Sequence, residues 1–160
     1  MIQGRRSRLK RFFEENRLDA ILVADLRNIR YLCGFSGSDG ALLATQSGTW
    51  FLCDSRYTAQ AGGEVLEAEV REYAVRLDAL ASLVDEKGIG RLGFEASHTT
   101  LIDYRKMAGR LAGIELVEIG PAFDEIRSCK DEDEIVSLKA VAGLASLALS
   151  DVLELSLIHI

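Results

Sequence analysis

The chain has 160 residues, 48% of them apolar and 28% charged, which suits one folded domain and excludes a compositionally disordered chain. A net charge of -6 argues against nucleic acid as the main partner, and no unbroken run of ~18 apolar residues marks a membrane span. Arg5, Arg6 and Arg8 are not followed by the apolar stretch of a secretory signal, and Cys33, Cys53 and Cys129 form no close pair, which suits a reducing, cytoplasmic setting.

Leu9, Phe12 and Phe13, spaced i, i+3, i+4, predict a first helix over residues 5–16. The apolar run 20–23 reads as a buried strand, and 25–33 as a short helix or turn. Three glycines in seven residues make 34–40 a loop. Strands at 41–45 and 50–53 flank a hairpin turn at 46–49. A short helix is expected over 56–61, ended by Gly62 and Gly63, and a strand within 65–73. Leu77, Leu80, Ala81 and Val84 mark an amphipathic helix closed by Gly88. A strand at 91–94 precedes a helix over 100–111, whose apolar face is Leu101, Tyr104, Ala108 and Leu111. The last strand is 115–119. After Pro121, Asp131 and Glu134 form a capping pair that opens a final helix. That helix is apolar on several sides, which calls for more than one packing partner. Alternating helices and strands behind an early hairpin predict an α/β fold with a mixed β-sheet flanked by helices, its antiparallel part being the hairpin.

The chemistry-bearing residues are few. His98 and His159 are the only histidines, and neither H-x-x-x-H nor C-x-x-C occurs, a poor inventory for a metal site. Ser36 and Ser38 lie in the glycine loop, with His98 as a conceivable base, but the G-x-S-x-G elbow is not met. His98 reads more simply as a surface residue before a helix. Cys33 and Cys53 read as small core residues. Gly34, Gly37 and Gly40 suggest an anion cradle only superficially, because a strand rather than a helix follows.

Several segments in order carry a resemblance. Residues 28–40, Asn28-Ile29-Arg30-Tyr31-Leu32-Cys33-Gly34-Phe35-Ser36-Gly37-Ser38-Asp39-Gly40, resemble the N-x-R-Y-L-T-G-F-T-G-S motif of the creatinase, prolidase and Xaa-Pro aminopeptidase family, with Cys33 where threonine is common. Phe51-Leu52-Cys53-Asp54-Ser55-Arg56-Tyr57-Thr58-Ala59-Gln60-Ala61 is similar to its T-D-G-R-Y-x-x-Q-A motif, and Leu92-Gly93-Phe94-Glu95 to its L-G-F-E strand. Residues 124–135 resemble the junction leading into the catalytic domain.

The resemblance implies an N-terminal domain of ribonuclease H-like topology over residues 1–123. A linker and the first helix of a truncated "pita-bread" catalytic domain would follow over 124–154. In that family the missing half holds two divalent metal ions (Mn, Co or Zn) and cleaves the bond before proline. No cofactor, metal ligand or catalytic residue is expected within this chain. The implied roles are assembly of a homodimer or tetramer and lining of the active-site cleft that takes proline-containing peptides, with no nucleic acid or membrane partner. Ser38, Asp39 and Arg56 are the candidate cleft or interface residues. Arg56 can pair bidentately with Asp54 or with a substrate C-terminus. Glycine in the loop would let its backbone approach another chain. Tyr31 and Tyr57 are expected to be core residues with satisfied hydroxyls. Residues 155–160, Leu-Ser-Leu-Ile-His-Ile, resemble the translation of a transposon-end sequencing adapter, so His159 is given no role. The other readings are a proline dipeptidase fragment, a free-standing peptide-binding or assembly module of the same fold, and an unrelated small hydrolase using Ser36 or Ser38.

Overall fold

A computed structural model describes residues 2–155, excepting the side chains of Ile2, Gln3, Arg6 and Ala122. The expected tail beyond Leu155, with His159, lies outside the described residues. By compactness the chain divides into residues 1–127 and 128–160.

The first unit is built on a six-stranded sheet of order β4-β3-β2-β1-β5-β6. Its strands are β1 (Ala20–Val23), β2 (Ala41–Thr45), β3 (Thr49–Cys53), β4 (Glu69–Glu72), β5 (Arg91–Glu95) and β6 (Glu115–Ile119). Only β2 runs against its neighbours. It pairs antiparallel with β1, Leu22 opposite Leu43, and with β3, Leu42 opposite Phe51. The β1–β5, β5–β6 and β3–β4 pairs are parallel. The antiparallel part therefore includes the β1–β2 pairing as well as the hairpin.

Strand alternation sorts the core into two layers. Ile21, Val23, Leu42, Ala44, Phe51 and Cys53 face one side of the sheet. Against them pack α1 (Ile2–Asn16), α2 (Leu26–Cys33), α3 (Thr58–Glu64) and the 3-10 segment Pro121–Arg127, through Leu9, Phe13, Ile29, Leu32, Ala61, Phe123 and Ile126. Ala20, Ala41, Leu43, Trp50, Leu52, Leu92 and Phe94 face the other side. There α4 (Arg76–Lys87) and α5 (Leu101–Arg110) cover them, with Leu80, Leu83, Val84 and Met107.

Local chemistry sets most boundaries. Asp25 caps α2 by accepting the Arg27 N–H at 3.0 Å, and Gly34 closes it at φ 87° with its N–H donating to the Arg30 carbonyl at 2.9 Å. Gly88, at φ 64°, ends α4 as the sequence predicts. In the hairpin, Thr45 Oγ1 accepts the N–H groups of Ser47 and Gly48.

Three expectations are corrected. α3 starts at Thr58 because Asp54 holds residues 54–57 in a turn, its carboxylate accepting the Arg56 N–H and its carbonyl the Tyr57 N–H. The same helix runs through Gly62 and Gly63 to Glu64. Glu64 is anchored by Gln60 Nε2 one turn back at 3.0 Å and, across the fold, by the N–H of Ser36 at 2.8 Å, bonds that offset the low helix propensity of glycine. The strand expected within 65–73 shortens to β4, because Val65 caps α3, Leu66 donates to the Cys33 carbonyl and Glu67 turns at φ 58°. On α5 the buried positions are Met107 and, just beyond it, Leu111, while Leu101 is 65% exposed and Tyr104, also exposed, rests its ring 5.5 Å from that of Phe94.

The second unit contains α6 (Glu132–Leu155). Its capping pair forms as expected. The Glu134 N–H donates to Asp131 Oδ1, and the Asp131 N–H to Glu134 Oε2, both at 3.0 Å. Val136, Val141, Leu144 and Leu147 are all exposed. A window of this helix reaches a mean hydropathy of 1.6, so by length and composition alone it is apolar enough to cross a membrane. The core helix of a larger protein has the same signature.

Candidate functional site

Five strands run one way and β2 runs the other. The carboxyl ends of β1, β3, β4, β5 and β6 and the start of β2 therefore share one rim of the sheet. In open α/β sheets this is where ligands bind. Asp25, Asp39, Asp54, Tyr73 and Glu95 all lie at these strand ends.

The candidates Ser38, Asp39 and Arg56 come together here. Arg56 Nε and Nη2 hold the Asp54 carboxylate at 2.6–3.1 Å, the bidentate pair the sequence suggests. The Arg56 guanidinium holds the Asp54 carboxyl below its ordinary range. Asp39 lies 3.5 Å from Arg56 Nη2 and also accepts from Arg76 Nη2. Arg76 extends the cluster, and no sequence motif flags it. Its other end meets the Tyr73 hydroxyl at 3.1 Å. Ser38 Oγ shares a 2.6 Å hydrogen bond with the Tyr57 hydroxyl. Two arginines and two aspartates thus alternate in one chain of ion pairs, the Arg56 side chain 69% and the Arg76 side chain 45% exposed.

The loop glycines have a reason within the domain itself. A Cβ on Gly37 would stand 2.3 Å from the Phe35 ring, and one on Gly40 would stand 2.6 Å from the Phe51 ring. Phe35 lies 4.4 Å from Phe51 and edge-on to Tyr57. These glycines make room for the chain's own aromatic cluster, which fixes the loop carrying Ser38 and Asp39.

Sequence reasoning missed a second cluster on the same rim. Glu95 is 3% exposed, yet carries a carboxylate. It accepts the N–H groups of Ala24 and Asp25 at 2.5 and 2.7 Å and the Asn28 side-chain amide at 2.6 Å. Asn28 also donates to Asp124, and Arg127 bridges Asn28 and Asp124 at 2.5 and 2.9 Å. Burial pushes the Glu95 carboxyl up, with the three hydrogen bonds opposing it. Asp25 goes the other way. Burial raises it, but the bonds from Arg27 and the nearby His98 outweigh this and leave it low. The available signal was Glu95 ending an apolar strand, where a carboxylate cannot face water.

Ser36 binds Glu64, Ser38 binds Tyr57, and His98 Nε2 meets Arg27 at 3.1 Å and Asp25 at 3.5 Å. Neither serine is paired with His98, so the geometry builds no nucleophile–base pair. Tyr31 is buried with its hydroxyl accepting from Arg8 at 2.6 Å, as expected. Cys33 and Cys53 are fully buried, and burial pushes the Cys33 thiol up to about 11, which keeps it protonated and inert. Among the described residues, no three His, Cys, Asp or Glu side chains converge to hold a metal ion.

A mixed six-stranded sheet covered by helices on both faces, with its polar chemistry on one rim, defines a mixed α/β domain. The model of the Creatinase/Prolidase N-terminal domain matches residues 5–129, and the chain belongs to that family. It is 31% identical over 147 residues to the uncharacterized peptidase YqhT of Bacillus subtilis (strain 168), covering 91% of this chain and 42% of that protein. Its structure is similar to the Xaa-Pro dipeptidase from Bacillus anthracis, at 28% identity and a TM-score of 0.92, over 98% of this chain and 44% of that one. It is also similar to the N-terminal domain of the cytoplasmic peptidase PepQ from Mycobacterium tuberculosis H37Rv, at 38% identity and a TM-score of 0.71, over 78% and 98% of the two chains. The chain thus spans less than half the length of the first two relatives.

Proposed function

We propose that this chain is the non-catalytic N-terminal domain of a cytoplasmic Xaa-Pro aminopeptidase, a peptidase that removes N-terminal residues preceding proline. The observation that carries this reading is the match of the Creatinase/Prolidase N-terminal domain to residues 5–129, which takes in nearly all of the first unit. Two divalent ions, Mn, Co or Zn, would be held by the remaining half of such an enzyme. Proline dipeptidase is the second reading, favoured by the likeness to the Xaa-Pro dipeptidase.

The domain's work is then assembly of a dimer or tetramer and shaping of the cleft that admits proline-containing peptides. The rim cluster suits that work. Asp39 offers a carboxylate to a peptide amine, and Ser38 offers a hydroxyl. Arg56, held flat by Asp54, presents a guanidinium to a carboxylate. The aromatic cluster under the loop keeps these groups in place.

Two experiments test this. The chain as given, incubated with manganese and a Xaa-Pro peptide, is expected to cleave nothing, and metal-dependent turnover by a clean preparation overturns the reading. In a complete peptidase carrying this domain, Asp39→Ala and Arg56→Ala are expected to raise KM or change the oligomer size. Unchanged KM together with unchanged size refutes the proposed roles.

A further inference from the structure

We propose that Arg76 is a positioning residue for Asp39, holding over the sheet rim the carboxylate that the proposed cleft offers to a peptide amine. The inference rests on that reading of Asp39 and adds a residue to it. Asp39 lies in the loop that leads into β2, and the contacts that fix this loop come mostly from one layer of the core. Phe35 packs 4.4 Å from Phe51, Ser36 is bonded to Glu64 of α3, and Ser38 Oγ meets the hydroxyl of Tyr57. Arg76 is the first residue of α4, which covers the opposite face of the sheet. Its Nη2 donates to Asp39 Oδ1, so the loop is held across the rim as well.

Two arginines approach Asp39, and their geometry gives them different work. Arg56 donates Nε to both oxygens of Asp54 and Nη2 to Asp54 Oδ2 at 2.6 Å. It reaches Asp39 Oδ2 only at 3.5 Å, beyond the usual N–H···O range. Arg56 therefore belongs to Asp54. Among the described residues Asp39 is the only carboxylate within ion-pair distance of Arg76. The Arg76 guanidinium is itself held. Its Nε donates to the Tyr73 hydroxyl at 3.1 Å, and its central carbon lies 5.7 Å from the centre of the Tyr73 ring. Tyr73 follows β4, donates its N–H to the Cys53 carbonyl at 2.9 Å and packs against the second core layer. Because the guanidinium is a rigid plane, fixing Nε at Tyr73 also aims Nη2 at Asp39. A line of support thus runs from the end of β4 through Tyr73 and Arg76 to Asp39. A carboxylate has about four lone-pair sites, so Asp39 keeps acceptor capacity for a further donor, and its side chain is 35% exposed to receive one.

The test has a structural and a kinetic arm. In the whole chain, Arg76→Gln is expected to move the carboxyl carbon resonance of Asp39. In a complete peptidase carrying this domain, Arg76→Gln is expected to raise KM about two- to fivefold at unchanged kcat, the range for an exposed ion pair. Tyr73→Phe, which keeps the ring and removes only the hydroxyl that holds Nε, is expected to raise KM less. Both effects are expected to vanish in an Asp39→Ala background, because each acts through that carboxylate. An unmoved Asp39 resonance, an unchanged KM in Arg76→Gln beside a raised KM in Asp39→Ala, a fall in kcat alone, or a KM rise that persists without Asp39 overturns the inference and leaves the reading of Asp39 standing. An unchanged KM in Asp39→Ala overturns that reading and this inference with it.

Discussion

Glu95 shows how a single buried carboxylate can hold several elements together. Its oxygens accept from the backbone after β1 and from Asn28 of α2, and Asn28 in turn meets Asp124 and Arg127. Removing it strands three donors, each costing about 1–3 kcal/mol when left unpaired in a buried site. Glu95→Ala is therefore expected to lose roughly 3 kcal/mol or more in urea unfolding, and Glu95→Gln less, because an amide oxygen still accepts. The pH dependence has a definite sign. Burial raises the folded pKa of Glu95 above its ordinary 4.5, so the folded state binds the proton more tightly. The Glu95 contribution is fully present below about pH 4.5 and declines as pH rises through the folded pKa. Wild type is thus expected to lose stability relative to Glu95→Gln as pH climbs from 4.5. Asp25, whose folded pKa is lowered, acts oppositely, and its contribution is lost on acidification below its ordinary 3.8. Gly37 is the other sensitive position. Gly37→Ala places a methyl 2.3 Å from the Phe35 ring and is expected to cost about 1–3 kcal/mol, read as a lowered urea midpoint.

At the scale of elements, caps were legible and lengths were not. The spacing of Asp131 and Glu134 predicts the start of α6, because a capping pair is a purely local device. Gly88 likewise marks the end of α4. α3 could not be read the same way. Two glycines read as a stop, but Glu64 is tied to Ser36, 28 residues away, and that bond is invisible in a local window. Glu64→Ala is therefore expected to fray α3 at its glycine end, seen as loss of amide-exchange protection at Gly62 and Gly63. On α5, apolar residues at Leu101 and Tyr104 mimic a buried stripe, yet the buried positions are Met107 and then Leu111.

For the whole molecule, residues 1–127 hold both core layers, while α6 exposes most of its large apolar side chains. Truncation after Arg127 is expected to keep the melting transition of the first unit and to reduce association in size-exclusion chromatography, since about twenty exposed helical residues of high hydropathy are removed. A lost transition would show that the first unit needs the second.

The sequence alone determined the strand and helix order, the α/β class, the helix caps and the ordered motifs of the creatinase/prolidase N-terminal family. All of these are written in local spacing or in contiguous residues. The bidentate hold of Asp54 on Arg56, two residues away, was legible for the same reason. Only the tertiary structure decided that Arg76 joins Asp39, that Glu95 is buried among three donors from residues 24–28, and that Leu101 stays exposed on α5. The first two depend on which strand ends share a rim, and that follows from β2 running against the other five strands of the sheet, a pairing fixed by burial across the whole fold rather than by any short stretch of chain.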